Sequence, residues 1–219
     1  MALGRPYLVG IAGGSGSGKT ALAATIADAL HPLGGSRLSL DAYYRDRSGV
    51  APVERDGLNF DVPDALDLDV FVHDLQALRR GRPVRPPRYC FVTHRRLGRA
   101  EIVAPADVVL VEGILLLHEP RARALLDLRL YLEAPTKLRL ARRIARDTRE
   151  RGRTAESVTA QCRTCTLPAH QEYVEPSKAW ADVVLVNAGR LEPVAEVAAA
   201  LIRAHRERRL GVPQRAQSA

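Results

Sequence analysis

Apolar and polar positions along this chain follow two rhythms, and the switching between them predicts most of its elements. Short runs that are nearly all apolar, at 7–12, 106–111, 128–132 and 182–186, read as strands covered on both faces. A further short strand is predicted over 36–40, ending at Asp41, followed by a charged, glycine-containing loop to about residue 60. Elsewhere apolar residues recur at three- and four-residue intervals, which predicts helices over 21–30, 67–80, 136–150, 154–165 and 191–207, and another running through Leu125. In the helix over 67–80 the repeat falls on Val70 or Phe71, Asp74 or Leu75, and Leu78, and Gly81 stops it. In the last helix Val194, Val197, Leu201 and Ile202 form one stripe. Residues 84–103 break the rhythm: Val84 to Val92 and Arg99 to Val103 read as two short strands joined by a basic turn, a hairpin outside the main sheet.

Buried strands alternating with helices imply an α/β fold, a parallel sheet with helices on both faces. Ligands in such sheets bind beyond the carboxyl ends of the strands, where Asp41 and Glu112 each end a run. The 219 residues suit one such domain over 1–210, with 84–103 as an inserted hairpin and helices over 136–165 as a lid. The polar tail 211–219 is expected to be disordered.

The turn after the first strand reads Gly13-Gly14-Ser15-Gly16-Ser17-Gly18-Lys19-Thr20, a complete G-x-x-x-x-G-K-[ST] loop with the strand and helix it requires on either side. Glycines let the backbone wrap an anion, successive amide N–H groups point at it, and the positive end of the next helix completes the cradle. A P-loop NTPase-type sheet binding a nucleoside triphosphate follows, with Lys19 on the outer phosphates and Thr20 on Mg²⁺.

Phosphoryl transfer also needs a metal site and a group to orient the attacking oxygen. Glu112 suits Mg²⁺, directly or through water; the same position suits a carboxylate at the start of a segment beginning at Ile114. Asp41 can accept a proton from a substrate hydroxyl or serve as a turn aspartate. Arg139, Arg142, Arg143 and Arg146 share one helical face, placed to converge on phosphates as a lid closes, or else to form a solvated surface with Asp147, Glu150 and Glu156.

The formal charge of +8 is almost all arginine, since lysine occurs only at 19, 137 and 178. No aromatic-rich or base-reading motif accompanies it, which disfavours nucleic acid and favours anionic small molecules. With 46% hydrophobic and 26% charged residues the composition is that of an ordinary soluble globule. No long uncharged apolar stretch or signal-peptide pattern is evident, so no membrane role and a cytoplasmic location are expected. Cys90, Cys162 and Cys165 supply no disulfide framework, and Cys162-x-x-Cys165 lacks the second pair a zinc site needs.

From about residue 7 to about residue 190 the chain resembles the uridine kinase (uridine-cytidine kinase) family. The ordered landmarks are the loop at 13–20; Asp41-Ala42-Tyr43-Tyr44; Asn59-Phe60-Asp61 through Asp67; and Tyr89-Cys90-Phe91-Val92-Thr93-His94. Beyond them come Ala106 through Leu115, Arg142-Arg143-Ile144-Ala145-Arg146-Asp147, Glu150-Arg151-Gly152-Arg153, Gln161, and Glu175-Pro176-Ser177-Lys178 leading to Ala181-Asp182. The resemblance implies transfer of the γ-phosphoryl group of ATP, or of GTP, to the 5′-hydroxyl of uridine or cytidine. It makes Asp41 the catalytic base, Asp61 with Arg143 the ribose-holding pair, and Tyr89 and His94 the readers of the pyrimidine edge. Arg153 and Gln161 become further nucleoside contacts, Arg146 and Arg151 triphosphate contacts, and a homo-oligomer, such as a tetramer, is implied.

Departures from the family pattern cluster near the nucleoside pocket and lid. Cys90 stands where aspartate is usual, Val62 for histidine, Leu66 for phenylalanine and Cys162 for tyrosine, and Thr166-Leu167 precede Pro168 in place of a valine and a basic residue. They leave open the same chemistry on another small alcohol, as in the phosphoribulokinase and pantothenate kinase branches. A nucleotide-binding sensor or nucleic-acid-associated ATPase without kinase activity is the reading from a different class.

Overall fold

The structure, a computed structural model, describes residues 5–31, 33–51, 54, 57–99 and 101–210; the tail expected to be disordered lies outside them. Seven strands form among these residues: β1 (Tyr7–Ala12), β2 (Gly35–Ser39), β3 (Pro87–Cys90), β4 (Arg95–Arg99), β5 (Val108–Glu112), β6 (Leu128–Glu133) and β7 (Val183–Val186). Five of them make one sheet in the order β2-β5-β1-β6-β7, with every neighbouring pair parallel. Helices α1 (Lys19–Ala29), α2 (Leu68–Arg79), α3 (Pro120–Arg123), α4 (Thr136–Glu150), α5 (Ala155–Gln161) and α6 (Glu192–Leu210) surround it. No helix among the described residues is long and apolar enough to cross a membrane.

The sheet is coated on both faces, and successive side chains of β1 sort between them as strand geometry requires. Tyr7, Val9 and Ile11 pack with Leu22 and Ile26 of α1 and with Ala195, Ala198, Ala199 and Ile202 of α6. Leu8 and Ala12 join the opposite core, with Leu40, Tyr43 and the α2 residues Phe71, Leu75 and Leu78. Each fully buried Leu, Ile or Phe contributes roughly 1.5–3 kcal/mol. The predicted stripe of α6 is corrected here: Val197 is 54% exposed, and three alanines with Ile202 form the buried face instead. In α2, Phe71 and Leu75 are buried, while buried Asp74 accepts a hydrogen bond from the Tyr43 hydroxyl at 2.8 Å.

Three other expectations change. The hairpin strands are Pro87–Cys90 and Arg95–Arg99, with Val84 and Val103 paired as an isolated bridge. Phe91-Val92, which read as strand, belongs to the turn because Phe91 packs edge-on against Tyr44 and Tyr89. The helix expected through Leu125 shrinks to α3, since Leu115, Leu116 and Leu117 are consecutive rather than periodic and all are buried. Past α5 the backbone stays helical to residue 177 through wide π turns at Cys162–Thr166 and His170–Val174. Pro168 and Pro176 lack the N–H that an unbroken α-helical ladder needs, and the widening carries the chain past them.

Candidate active site

The phosphate-binding loop spans the carboxyl end of β1 and the start of α1. Gly16 has φ +78°, and a Cβ there would lie 2.2 Å from the Arg139 carbonyl oxygen, so only glycine fits this bend. The Ser17 amide donates to the Gly14 carbonyl (3.0 Å), and the Asn187 side chain donates to the Ser17 carbonyl (2.7 Å). The Ser17 hydroxyl is buried with no hydrogen-bond partner among the described residues. A wrapped loop with an orphaned hydroxyl and an adjoining buried ammonium suits a polyphosphate.

Lys19 is 6% exposed and its Nζ donates to the Gly14 carbonyl at 3.0 Å. Burial pushes the ammonium pKa down, against the opposing pull of Glu112 and Asp41. Glu112 accepts from the Ser39 hydroxyl (2.6 Å) and the Thr20 hydroxyl (3.1 Å). Burial, then the charge of Asp41, push its carboxyl up despite Lys19. The charges of Glu112 and Asp41 both act on the Lys19 ammonium, and Thr20, Ser39 and Glu112 offer hard oxygen donors of the kind Mg²⁺ takes. No helix begins at Ile114, so Glu112 does not serve as a helix cap. Asp41 lies in the one-turn 3₁₀ segment Leu40–Tyr43; Ser39 caps that turn by accepting the Asp41 amide (3.3 Å), and the Asp41 side chain lines the neighbouring cavity.

That cavity brings together Asp41, Asp61, Tyr89, His94, Arg143, Arg146, Arg151, Arg153 and Gln161 with Ser15 of the phosphate loop. Residues up to 146 positions apart in the sequence meet here, because β1 and the segment after β2 supply one wall and α4–α5 and the hairpin supply the others. Arg143 Nη1 donates to both oxygens of Asp61 at 3.1 Å, and Thr166 adds a bond of 2.8 Å. Burial pushes the Asp61 carboxyl up, but Arg143 and Thr166 outweigh it and hold it below the ordinary range. Gln161 accepts from Arg143 (3.4 Å) and from Arg153, and its amide donates to the Leu58 carbonyl (3.3 Å). On the hairpin, Tyr89 Oη lies 3.2 Å from His94 Nδ1, and Phe60 stacks on the His94 ring at 4.4 Å and 13°. His94 has φ +53°, a left-handed turn conformation that aims its ring inward.

The arginine face of α4 divides. Arg139 is buried behind the phosphate loop, its Nε donating to the Ala134 carbonyl (3.2 Å), and Arg142 donates to the Ser17 and Gly189 carbonyls at 3.5 and 3.3 Å. Arg146 and Arg151 reach the cavity and pair with Asp147 (2.8 and 3.4 Å). A solvated basic surface is therefore the wrong description of this face. Asp147 itself is 1% exposed.

A family model described as Phosphoribulokinase / Uridine kinase family matches residues 8–192. The chain belongs to this family. It is 43% identical over 193 residues to a uridine kinase of Chloroflexus aurantiacus (strain ATCC 29366 / DSM 635 / J-10-fl), covering 87% of this chain and 90% of that protein. It is 39% identical over 187 residues to a uridine kinase of Brevibacillus brevis, covering 85% and 87%. Phosphoribulokinase from Rhodobacter spheroides shares the fold at a TM-score of 0.61 and 14% identity, over 86% of this chain and 74% of that one. Membership in the phosphoribulokinase/uridine kinase family makes the chain a P-loop phosphotransferase with an alcohol acceptor.

Two residues of this kinase escaped the sequence reading as site groups. Asp147 looked like a surface partner for arginines. His170 lies beyond the predicted lid, yet a Cβ on Gly14 would be 3.0 Å from its ring, and its Nε2 is 3.3 Å from Glu175. Burial, then Arg139, push the imidazole below its ordinary 6.5. The unfolded chain therefore takes up this proton first as pH falls, and the folded state loses stability from about pH 6.5 downward. His170→Gln is expected to flatten that acid limb, read as the difference in Tm between wild type and variant from pH 7.5 to 5; parallel profiles would remove His170 from the cause.

Proposed function

We propose that this kinase transfers the γ-phosphoryl group of ATP, or of GTP, to the 5′-hydroxyl of uridine or cytidine. The observation that carries the reading is one cavity lined by Asp41, Asp61, the rings of the hairpin and Ser15 of the phosphate loop. The chemistry of the lining suits a nucleoside: a planar base against rings, a ribose against a charged pair, and a 5′-oxygen toward the loop. Tyr44, Phe60, Tyr89 and Phe91 supply the rings, with Tyr44 and Tyr89 centroids 5.2 Å apart.

In this reading the loop amides and Lys19 hold the triphosphate, with Arg146 and Arg151 closing over it. Mg²⁺ held by Thr20 and Glu112 supplies neutralisation of phosphate charge. Asp61 and Arg143 orient the ribose hydroxyls, Arg153 and Gln161 add nucleoside contacts, and Tyr89 and His94 read the pyrimidine edge. Asp41 accepts the proton of the 5′-hydroxyl as that oxygen bonds to the γ-phosphorus and the bond to the β-phosphate oxygen breaks, releasing the nucleoside diphosphate. The hairpin over 84–103 serves as the base-binding wall, and 136–165 as the lid.

The test is a panel: Mg²⁺ with ATP or GTP against uridine, cytidine, purine nucleosides, pantothenate and ribulose 5-phosphate, scored by phosphorylated product. UMP or CMP as main product is expected. Product from a non-nucleoside alcohol alone would move the chain to another branch of its family, and nucleotide hydrolysis without any acceptor product would favour an ATPase.

A further inference from the structure

A ladder of ion pairs runs through the wall of the cavity and joins its two sides. Arg146 Nε lies 2.8 Å and Arg151 Nε 3.4 Å from Asp147 Oδ1, while Asp147 Oδ2 is 3.6 Å from Arg143 Nε. Arg143 in turn grips both oxygens of Asp61 at 3.1 Å. The Asp147 carbonyl also accepts the Arg151 and Arg153 amides at 3.2 and 3.3 Å, which fixes the residue at the end of α4. One rung is incomplete: Arg143 Nε is buried without a hydrogen-bond partner among the described residues, and 3.6 Å is too long for one.

We infer that Asp147 is a positioning residue that makes the triphosphate and the alcohol acceptor bind in mutual reinforcement. The inference rests on the assignment of Arg146 and Arg151 to phosphate and of Asp61 with Arg143 to the acceptor. A triphosphate draws Arg146 and Arg151 onto its oxygens, and Asp147 is left with Arg143 as its partner. Its carboxylate then closes on Arg143 Nε and completes the missing bond. Charge-assisted bonds of this kind are short and directional, so the guanidinium holding Asp61 is fixed and the acceptor site is set. By linkage the acceptor strengthens triphosphate binding by the same factor.

Equilibrium titration of the full chain with uridine, with and without Mg²⁺ and the non-hydrolysable analogue AMP-PNP, measures the coupling. In wild type the uridine Kd is expected to fall about tenfold when the analogue is bound, within the usual range of about 5–150-fold, and the analogue Kd to fall equally. Asp147→Asn should bind each ligand alone with a coupling factor near one, and Asp147→Glu should restore part of it. Arg146→Gln frees Asp147 in advance, so uridine should bind this variant more tightly than wild type without the analogue, and the gain on adding it should shrink. A merely structural Asp147 would lower Tm and shift both affinities while leaving their ratio at the wild-type value, which overturns the inference. Unchanged uridine affinity in Arg146→Gln overturns it as well, even where Asp147→Asn fails to fold. If uridine is not the acceptor, the titration uses the alcohol phosphorylated in the panel; if none is, the functional reading falls first and takes the coupling with it.

Discussion

Asp41→Asn is expected to cut turnover by about two to four orders of magnitude, the usual contribution of a positioned base, while nucleotide binding stays nearly intact. In barrier terms this is roughly 3–5 kcal/mol. Asparagine keeps the size of the side chain and the main-chain bond to the Ser39 hydroxyl, so the turn at Leu40–Tyr43 is retained. It also removes a negative charge that pushes the neighbouring Glu112 carboxyl up. Relief of that repulsion is set against the loss of one of the two negative charges that favour the buried Lys19 ammonium, which predicts a Tm close to that of wild type. Steady-state rates, nucleotide titration and a thermal melt on one preparation check all three parts. A near-normal rate would return Asp41 to the role of an ordinary turn aspartate.

The sheet was legible because strands covered on both faces must be apolar at nearly every position, as Val108–Val111 and Leu128–Leu132 are. The hairpin register was not, because Phe91 and Val92 carry strand propensity while the packing of Phe91 on Tyr44 makes them a turn. The helical run from α5 to residue 177 was hidden by its prolines, and the buried face of α6 by its alanines, which a search for large apolar residues passes over. Motif spacing pointed to the phosphate loop, strand ends pointed to Asp41 and Glu112, and the family resemblance pointed to Asp61, Tyr89, His94, Arg143, Arg153 and Gln161, which line the cavity with Asp41. Asp147 and His170 act through partners supplied by folding, so their patterns in the sequence look like an ordinary helix end and an ordinary helix.

The departures from the family pattern also become interpretable once placed. Thr166 donates to Asp61 at 2.8 Å, Cys162 is buried close enough to Arg143 and Asp61 to feel both charges, and Leu66 sits in the core at 1% exposure. At the end of β3, hydrogen bonds from Thr93 hold the Cys90 thiol below its ordinary value. Thr166 and Cys162 thus lie beside the Asp61–Arg143 pair, and none of the four is in the phosphate loop.

Lys19→Met should lower turnover by about two to three orders of magnitude or more, roughly 2.7–4 kcal/mol, the scale for losing one preorganised group at developing charge. The nucleotide Michaelis constant should rise with it, because the ammonium also meets the ground-state phosphates. Stability is governed by opposed effects. Methionine removes a cation whose burial pushes its pKa down, but it also leaves Glu112 and Asp41 without their shared counter-charge. Protonation of Glu112 limits the second loss, since burial and Asp41 already push its carboxyl up. The Tm without nucleotide should therefore move by only a few degrees, while the rise in Tm on adding Mg²⁺ and AMP-PNP should largely vanish, because that rise measures binding to the folded state. A variant that keeps both its turnover and its ligand-induced Tm shift would mean that the phosphates are held away from the Gly13–Thr20 loop, and the Asp41 and Asp61 assignments, which depend on where the γ-phosphorus sits, would go with it.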